Sequence, residues 1–202
     1  MFDVLIIGGG VSSISCALVL GSAHQKPFAK DKKIGVISHQ KASSLQDAIF
    51  FNAYGVASGK LGSDLLTESL QQIQENYPHI VLIEGEKVLK VIQNAEDFLI
   101  ETNKNSYHSK IIVVGIGSSN LFNIEGLTQF IEPHHKSLPE KQRVQMQNID
   151  HKVTEGIYVC GTLAGHRSQL PIAAGSGAAV ATDLLVLWNN GIETHSHDSI
   201  RK

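Results

Sequence analysis

The chain has 202 residues, a formal net charge of -2 and 18% charged residues, which suits one core-bearing domain or slightly more. Its arginines, Arg143, Arg167 and Arg201, stand far apart, and this excludes the clustered cations of a nucleic-acid footprint. Cys16 and Cys160 form no C-x-x-C pair, so neither a redox dithiol nor a zinc site is indicated, and a reducing cytoplasm is the expected setting.

The chain opens on a continuous apolar run, Phe2 to Ile7, that reads as a central parallel strand covered on both faces. It runs straight into Gly8-Gly9-Gly10, after which Val11, Ile14 and Leu18 recur at helical spacing. Strand, glycine turn and helix together make the βα turn that binds a dinucleotide pyrophosphate. Gly8 permits the tight turn and Gly10 lets the backbone approach phosphate oxygens. The helix N-terminus offers N–H groups and a partial positive charge. The last fingerprint position is Ser13, where glycine or alanine is usual; serine is still small enough for close helix–strand packing. The apolar stretch Leu18 to Ala23 is not read as a secretory leader, because Asp3 precedes it without any Lys or Arg and three glycines interrupt the run.

Residues 22–33 are polar and contain Pro27, as in a surface connection, and Ile34 to Ile37 reads as the second strand, ending at Ser38-His39. Residues 40–62 look irregular. A second helix is predicted from Ser63 as N-cap, with Leu65, Leu66, Leu70 and Ile73 on one apolar face. Strand-like runs follow at 80–83, 87–91, 98–102 and 110–114, with 80–109 read as a small antiparallel excursion beside the sheet. The last run ends in Gly115-Ile116-Gly117-Ser118. Residues 118–143 are the least regular part. Order returns with 144–149, a turn over 150–156 and the strand Ile157 to Cys160, which meets Gly161-Thr162. A final helix follows Pro171 and ends near Gly191; its run from Ile172 to Trp188 is read as too short and too interrupted to span a membrane. The alternation predicts an α/β fold: a Rossmann-like, doubly wound parallel sheet. It would form one domain over 1–191, with a short irregular connection at 127–143 and a polar tail at 192–202.

Four blocks occur in order: Gly8-Gly9-Gly10; Asn52 to Val56 leading to Gly62-Ser63-Asp64-Leu65-Leu66 and Tyr77-Pro78; Val113 to Ser118; and Thr154 to Thr162 with Gln169 to Ala178. Together they resemble the FAD-binding half of the thioredoxin-reductase-like, two-dinucleotide-domain flavoproteins. The resemblance implies FAD as cofactor and an oxidoreductase. It implies that Gly8, Gly10, Val11, Ser12 and Ser13 meet the pyrophosphate and that Val88 meets the adenine through its backbone. Gly115 and Gly117 would line the cleft, and Gly161, Thr162, Gln169 and Leu170 would approach the ribityl chain and ring.

The departures from the family are specific. The region that carries an inserted NAD(P)H domain, and in the thioredoxin reductases a C-x-x-C, is too short here for a βαβ unit. The family's ribose-binding acid after the second strand is replaced by Ser38 and His39, and its ribityl-binding aspartate by Thr162. Two readings follow. One is a single-domain FAD flavoprotein fed by a free reductant or a separate electron-donor protein, including one half of a split enzyme. The other is a degenerate dinucleotide-fold binding module that has lost flavin. No catalytic residue is assigned. The clusters His134-His135 and His195-x-His197-Asp198 are read as solvated loop and tail, with no metal site. His39 and His166 fall beside the cofactor region, His166 with surface placement preferred, and Cys160 reads as a small core residue.

Overall fold

The structure is a computed structural model that describes residues 1–39 and 43–197. In chain order, β1 (Val4–Ile7) leads through the glycine turn into α1 (Val11–Ser22). There follow β2 (Ile34–Ser38), a minimal hairpin of β3 (Ile49–Phe50) and β4 (Lys60–Leu61), α2 (Gly62–Asn76) and β5 (Val81–Glu84). Next come β6 (Val88–Gln93), β7 (Phe98–Thr102), β8 (Ser106–Ser109) and β9 (Ile112–Val114). The chain finishes with β10 (Ile131–Pro133), β11 (Val144–Met146), β12 (Lys152–Thr154), β13 (Ile157–Val159) and α3 (Leu170–Trp188).

The main sheet runs β12-β13-β9-β1-β2-β5. All of it is parallel except the edge strand β12. Strands β1 and β2 are buried along their whole length, which is why they read as unbroken apolar runs. One face packs Val4, Ile6, Val36 and Val113 against Ile14, Ala17 and Leu20 of α1, Ile73 of α2, and Val180, Ala181, Leu184 and Leu185 of α3. The other face packs Leu5, Ile7, Ile112, Val114 and Val159 against Val88, Val91, Phe98 and Ile100 of the antiparallel β6–β8 sheet, with Leu127, Met146 and Leu163. The architecture is Rossmann-like α/β with small antiparallel sheets. Strand order reverses at β1, so the crevice above the carboxyl ends of β1, β2 and β9 is where this topology places a ligand.

Several expectations change. Strand β5 belongs to the main sheet, paired in parallel with β2, so the excursion begins at Val88; Leu82 and Ile83 serve opposite cores, as an in-sheet strand requires. Helix α2 starts at Gly62 with Leu61 at its N-cap position, not at Ser63. A Cβ on Gly62 would stand 2.1 Å from the Leu45 carbonyl oxygen, so close packing fixes that end. The stretch 127–143 holds β10, which pairs with β11, and 3-10 turns at Thr128–Phe130 and Pro139–Lys141. The run expected to be too short for a membrane forms a 19-residue helix that is long and apolar enough, by length and composition, to cross one. Instead α3 packs on α1 with its buried stripe in the core. Residues 192–197 carry no regular structure, and the Ser22 hydroxyl donates to Ser196 Oγ at 2.9 Å; Asp198, from the histidine-rich tail, lies outside the described residues.

Candidate dinucleotide site

The turn after β1 is shaped by steric necessity. Gly8 has φ +129, and a Cβ there would lie 2.5 Å from the Gly115 carbonyl oxygen. Its N–H donates to Ile37 O at 2.8 Å, tying the turn to the end of β2. Gly10 is the N-cap residue of α1; no side chain caps that end and no acidic residue stands in its first turn. The unpaired N–H groups and the positive end of the helix dipole therefore face outward. Beside them the space is open, since a Cβ on Gly10 or Gly117 would meet nothing within 4 Å.

The carboxyl ends of β9 and β13 close in from the other side. Ser13 is fully buried and donates through Oγ to Gly115 O at 3.2 Å, so the departure from the usual glycine is satisfied internally. Gly161, at φ +71, stands against Ser12, where a Cβ would be 2.6 Å from Ser12 Oγ. Cys160 is fully buried, as its sequence context predicted. Burial pushes its thiol up to about 11, with the Ser12 and Ser13 hydroxyls pulling the other way, so it carries no thiolate near neutrality.

The structure thus brings Gly8, Gly10, Val11, Ser12, Ser13, Gly115 and Gly161 to one corner, with Thr162 next in chain. Gln169 is the N-cap residue of α3 and Leu170 its first residue. Ser38 ends β2 beside the turn and is only 3% exposed, whereas His39 is exposed. Val88 is buried in the opposite core, which leaves only its backbone for a ligand. Glu84 ends β5 in direct register with Ser38 and is exposed.

A polar cluster missed by sequence reasoning adjoins this corner. Gly161 N–H donates to Ser176 Oγ at 2.8 Å, Ser176 Oγ lies 3.0 Å from His151 Nε2, and His151 Nε2 lies 3.0 Å from His166 Nε2. His166 is therefore half-buried and bonded, contrary to its expected surface placement. His134 is buried too, with Nε2 at 3.3 Å from His166 O, which corrects its reading as a solvated loop residue. Loop polarity suggested exposure, but pairing of β10 with β11 folds that loop over the segment after β13. Among the described residues, no three His, Cys, Asp or Glu side chains group to hold a metal ion.

Burial lowers the pKa of His151 against the opposing pull of Asp183 and Asp150. It lowers that of His166 too, helped by His151, Lys136 and His134. Burial and then His24 do the same at His79. In each case the unfolded chain binds the proton more readily, so stability is complete above the ordinary histidine range near pH 6.5 and is lost as pH falls through it. Melting curves should show Tm falling by several degrees between about pH 7.5 and about pH 5, before the lowered carboxylates Asp3, Asp97 and Glu86 begin to contribute. A Tm that stays flat over that range would contradict this assignment.

A parallel sheet with a glycine turn at its switch point and an uncapped helix end above it defines a dinucleotide-binding domain. The chain belongs to the pyridine nucleotide-disulphide oxidoreductase family, whose sequence profile it matches over residues 2–162; it has the flavin-binding oxidoreductase fold that the family implies. Among solved structures it is similar to an oxidoreductase from Agrobacterium tumefaciens (TM-score 0.72, 14% identity, covering 92% of this chain and 98% of that one). It is similar to a thioredoxin reductase from Gloeobacter violaceus (TM-score 0.74, 13% identity, 99% of each chain). A ferredoxin-flavin thioredoxin reductase from Clostridium acetobutylicum is a third relative in fold (TM-score 0.67, 14% identity, 94% of this chain and 98% of that one). No curated protein matches the chain by sequence.

Proposed function

We propose that this chain binds FAD in the crevice above β1, β2 and β9 and works as a single-domain, flavin-dependent oxidoreductase in the cytoplasm. The observation that carries the reading is the uncapped N-terminus of α1 opening onto free space over Gly10. In this reading Gly8, Gly10, Val11 and Ser12 meet the pyrophosphate, with Ser13 shaping the turn from behind. The Val88 backbone meets the adenine, and Ser38 and His39 border the adenosine ribose. Gly115 and Gly117 line the cleft, and Gly161, Thr162, Gln169 and Leu170 border the ribityl chain and ring. The N-terminal end of α3 faces the ring, where its dipole favours negative charge. Bound flavin supplies the two-electron chemistry; the protein supplies binding, orientation and electrostatics. The region between Gly115 and His151 contains hairpin β10–β11 and short 3-10 turns. This supports a reading in which electrons arrive from a free reductant or a separate donor protein.

The residues fit the group with weaker polar anchors than two carboxylates would give. Ser38 and Thr162 exchange charged hydrogen bonds for neutral ones, together a loss of roughly 2–3 kcal/mol. Glu84 offsets part of this, because its backbone sits one strand from Ser38 at the same register, about 5 Å away, and its exposed carboxylate, without a partner among the described residues, would take the ribose hydroxyls. Glu84→Gln should weaken FAD about tenfold while leaving riboflavin binding unchanged; equal losses for both ligands would argue against this role.

The direct test is the visible spectrum and melting temperature with and without added FAD, since a ligand that binds only the native state raises apparent stability. Yellow protein, or a Tm that climbs with FAD concentration, supports the reading. A colourless protein whose Tm ignores FAD rejects it and favours the binding module that has lost flavin, for which the missing carboxylates at Ser38 and Thr162 speak.

A further inference from the structure

Asp150 and His151 are the two central residues of a tight hairpin. Ile149 and Lys152 exchange both backbone hydrogen bonds at 2.9 Å, and φ is +46 at Asp150 and +71 at His151. A two-residue hairpin with positive φ at both centres favours asparagine or aspartate followed by glycine. Asp150 meets that preference; His151 stands where glycine would be easiest. The imidazole is thus held in a backbone conformation its own turn disfavours. Its neighbours over-determine it: Asn148 Oδ1 accepts the His151 N–H at 3.2 Å, and the His151 carbonyl accepts the Val159 N–H at 2.9 Å.

The ring has a defined task. It reaches the buried Ser176, whose Oγ accepts the N–H of Gly161, the glycine that turns the chain at the end of β13. Through the same Nε2 it also meets His166, with ring centroids 5.2 Å apart and an interplanar angle of 39°. That separation and the 3.0 Å Nε2–Nε2 distance set the two nitrogens nearly head-on. This is the geometry of an N–H···N hydrogen bond. Such a bond holds one proton between the two nitrogens, and a second would set N–H against N–H.

We propose that His151 is a positioning residue for the cofactor-binding corner, holding Gly161 and Thr162 through Ser176, and that its bond to His166 makes this positioning depend on proton count. The proposal rests on the FAD reading above. The charged and titratable groups facing the pair are Asp183 on α3 and Asp150 in the hairpin beside His151, with Lys136 and His134 from the β10–β11 loop beside His166. The two aspartates soften the first protonation. Lys136, His134 and the partner ring oppose the second. In acid both Nε2 atoms carry N–H and the rings move apart; because His151 meets Ser176 through that same Nε2, its movement withdraws it from Ser176 and the Gly161–Thr162 corner loosens. Ligand affinity falls as a result.

The test titrates FAD into the whole protein by fluorescence quenching at several pH values, beside melting curves without ligand. Wild-type affinity should fall about tenfold from about pH 7.5 to about pH 5. His151→Gly suits the hairpin and should keep or raise Tm, yet bind FAD about tenfold more weakly at neutral pH and without pH dependence. His151→Gln, whose amide reaches Ser176 but does not titrate, should recover most of the affinity and stay flat with pH. A His151→Gly variant that binds like wild type, or wild-type affinity indifferent to pH, overturns this proposal alone. Wild-type protein that binds no FAD at any pH overturns the cofactor reading and this proposal with it.

Discussion

Gly177→Ala should destabilise the protein by about 3 kcal/mol or more, a fall in Tm of roughly 6–12 °C for a chain of this size. The cause is the crossing of α1 and α3. A Cβ on Gly177 would stand 1.9 Å from the Ser12 carbonyl oxygen and 3.1 Å from the Cys16 nitrogen, both backbone atoms that no side-chain rotation can move. Relief requires the helices to separate, and they bury Ala17, Leu20, Val180, Ala181 and Leu184 in one core. The control lies two residues earlier. Gly175 points into space with nothing within 4 Å of a Cβ, so Gly175→Ala should stabilise α3 by up to about 1 kcal/mol. Thermal melts of the two variants side by side check the claim; similar Tm values would mean that the helices do not cross as described. The displacement would also reach the site, because Ser12 lies between Gly177 and Gly161.

Gly10→Asp should do the reverse, leaving the fold intact and removing the ligand. Gly10 holds an extended φ of -86 and ψ of 178 at the N-cap of α1. An aspartate fits that conformation and would cap the helix, a change of about -0.5 to +1 kcal/mol in stability on balance. Its carboxylate would also occupy the space where, in the proposed FAD complex, the pyrophosphate would meet the helix N-terminus, repelling that charge and taking its N–H donors. FAD affinity should fall by about 100-fold or more while Tm without ligand stays within a few degrees. Normal FAD binding by this variant would place any flavin elsewhere on the protein. The contrast between the two glycines separates fold from function: one touches backbone, the other touches solvent.

Much of the scaffold was legible because its signals are local. The Phe2–Ile7 run, the glycine turn, the helical spacing of Val11, Ile14 and Leu18, and the glycine-ended strands at 112–114 and 157–159 each express a short-range constraint. Ser13 was readable as a tolerable departure, and its bond to Gly115 explains the tolerance. Cys160 was legible as core because it directly continues the apolar run Ile157–Val159. By contrast, the place of β5 in the main sheet depended on pairing with β2, and the Val81–Glu84 run looks alike in either sheet. The edge strand β12 was hidden inside a polar turn. His134 looked solvated because its neighbours are polar; its burial comes from a pairing across 131–146.

The sequence by itself determined a dinucleotide-type βα turn, a parallel α/β sheet and a helix of small residues at the end, since side-chain size and period act within a few residues. Only tertiary structure decided that Glu84 stands in register with Ser38. It alone set His151, His166 and Ser176 in contact across separations of 15 and 25 residues. Such contacts depend on how strands order themselves and how a hairpin turns. Those choices reflect the packing energy of the whole core, which no local pattern of residues encodes.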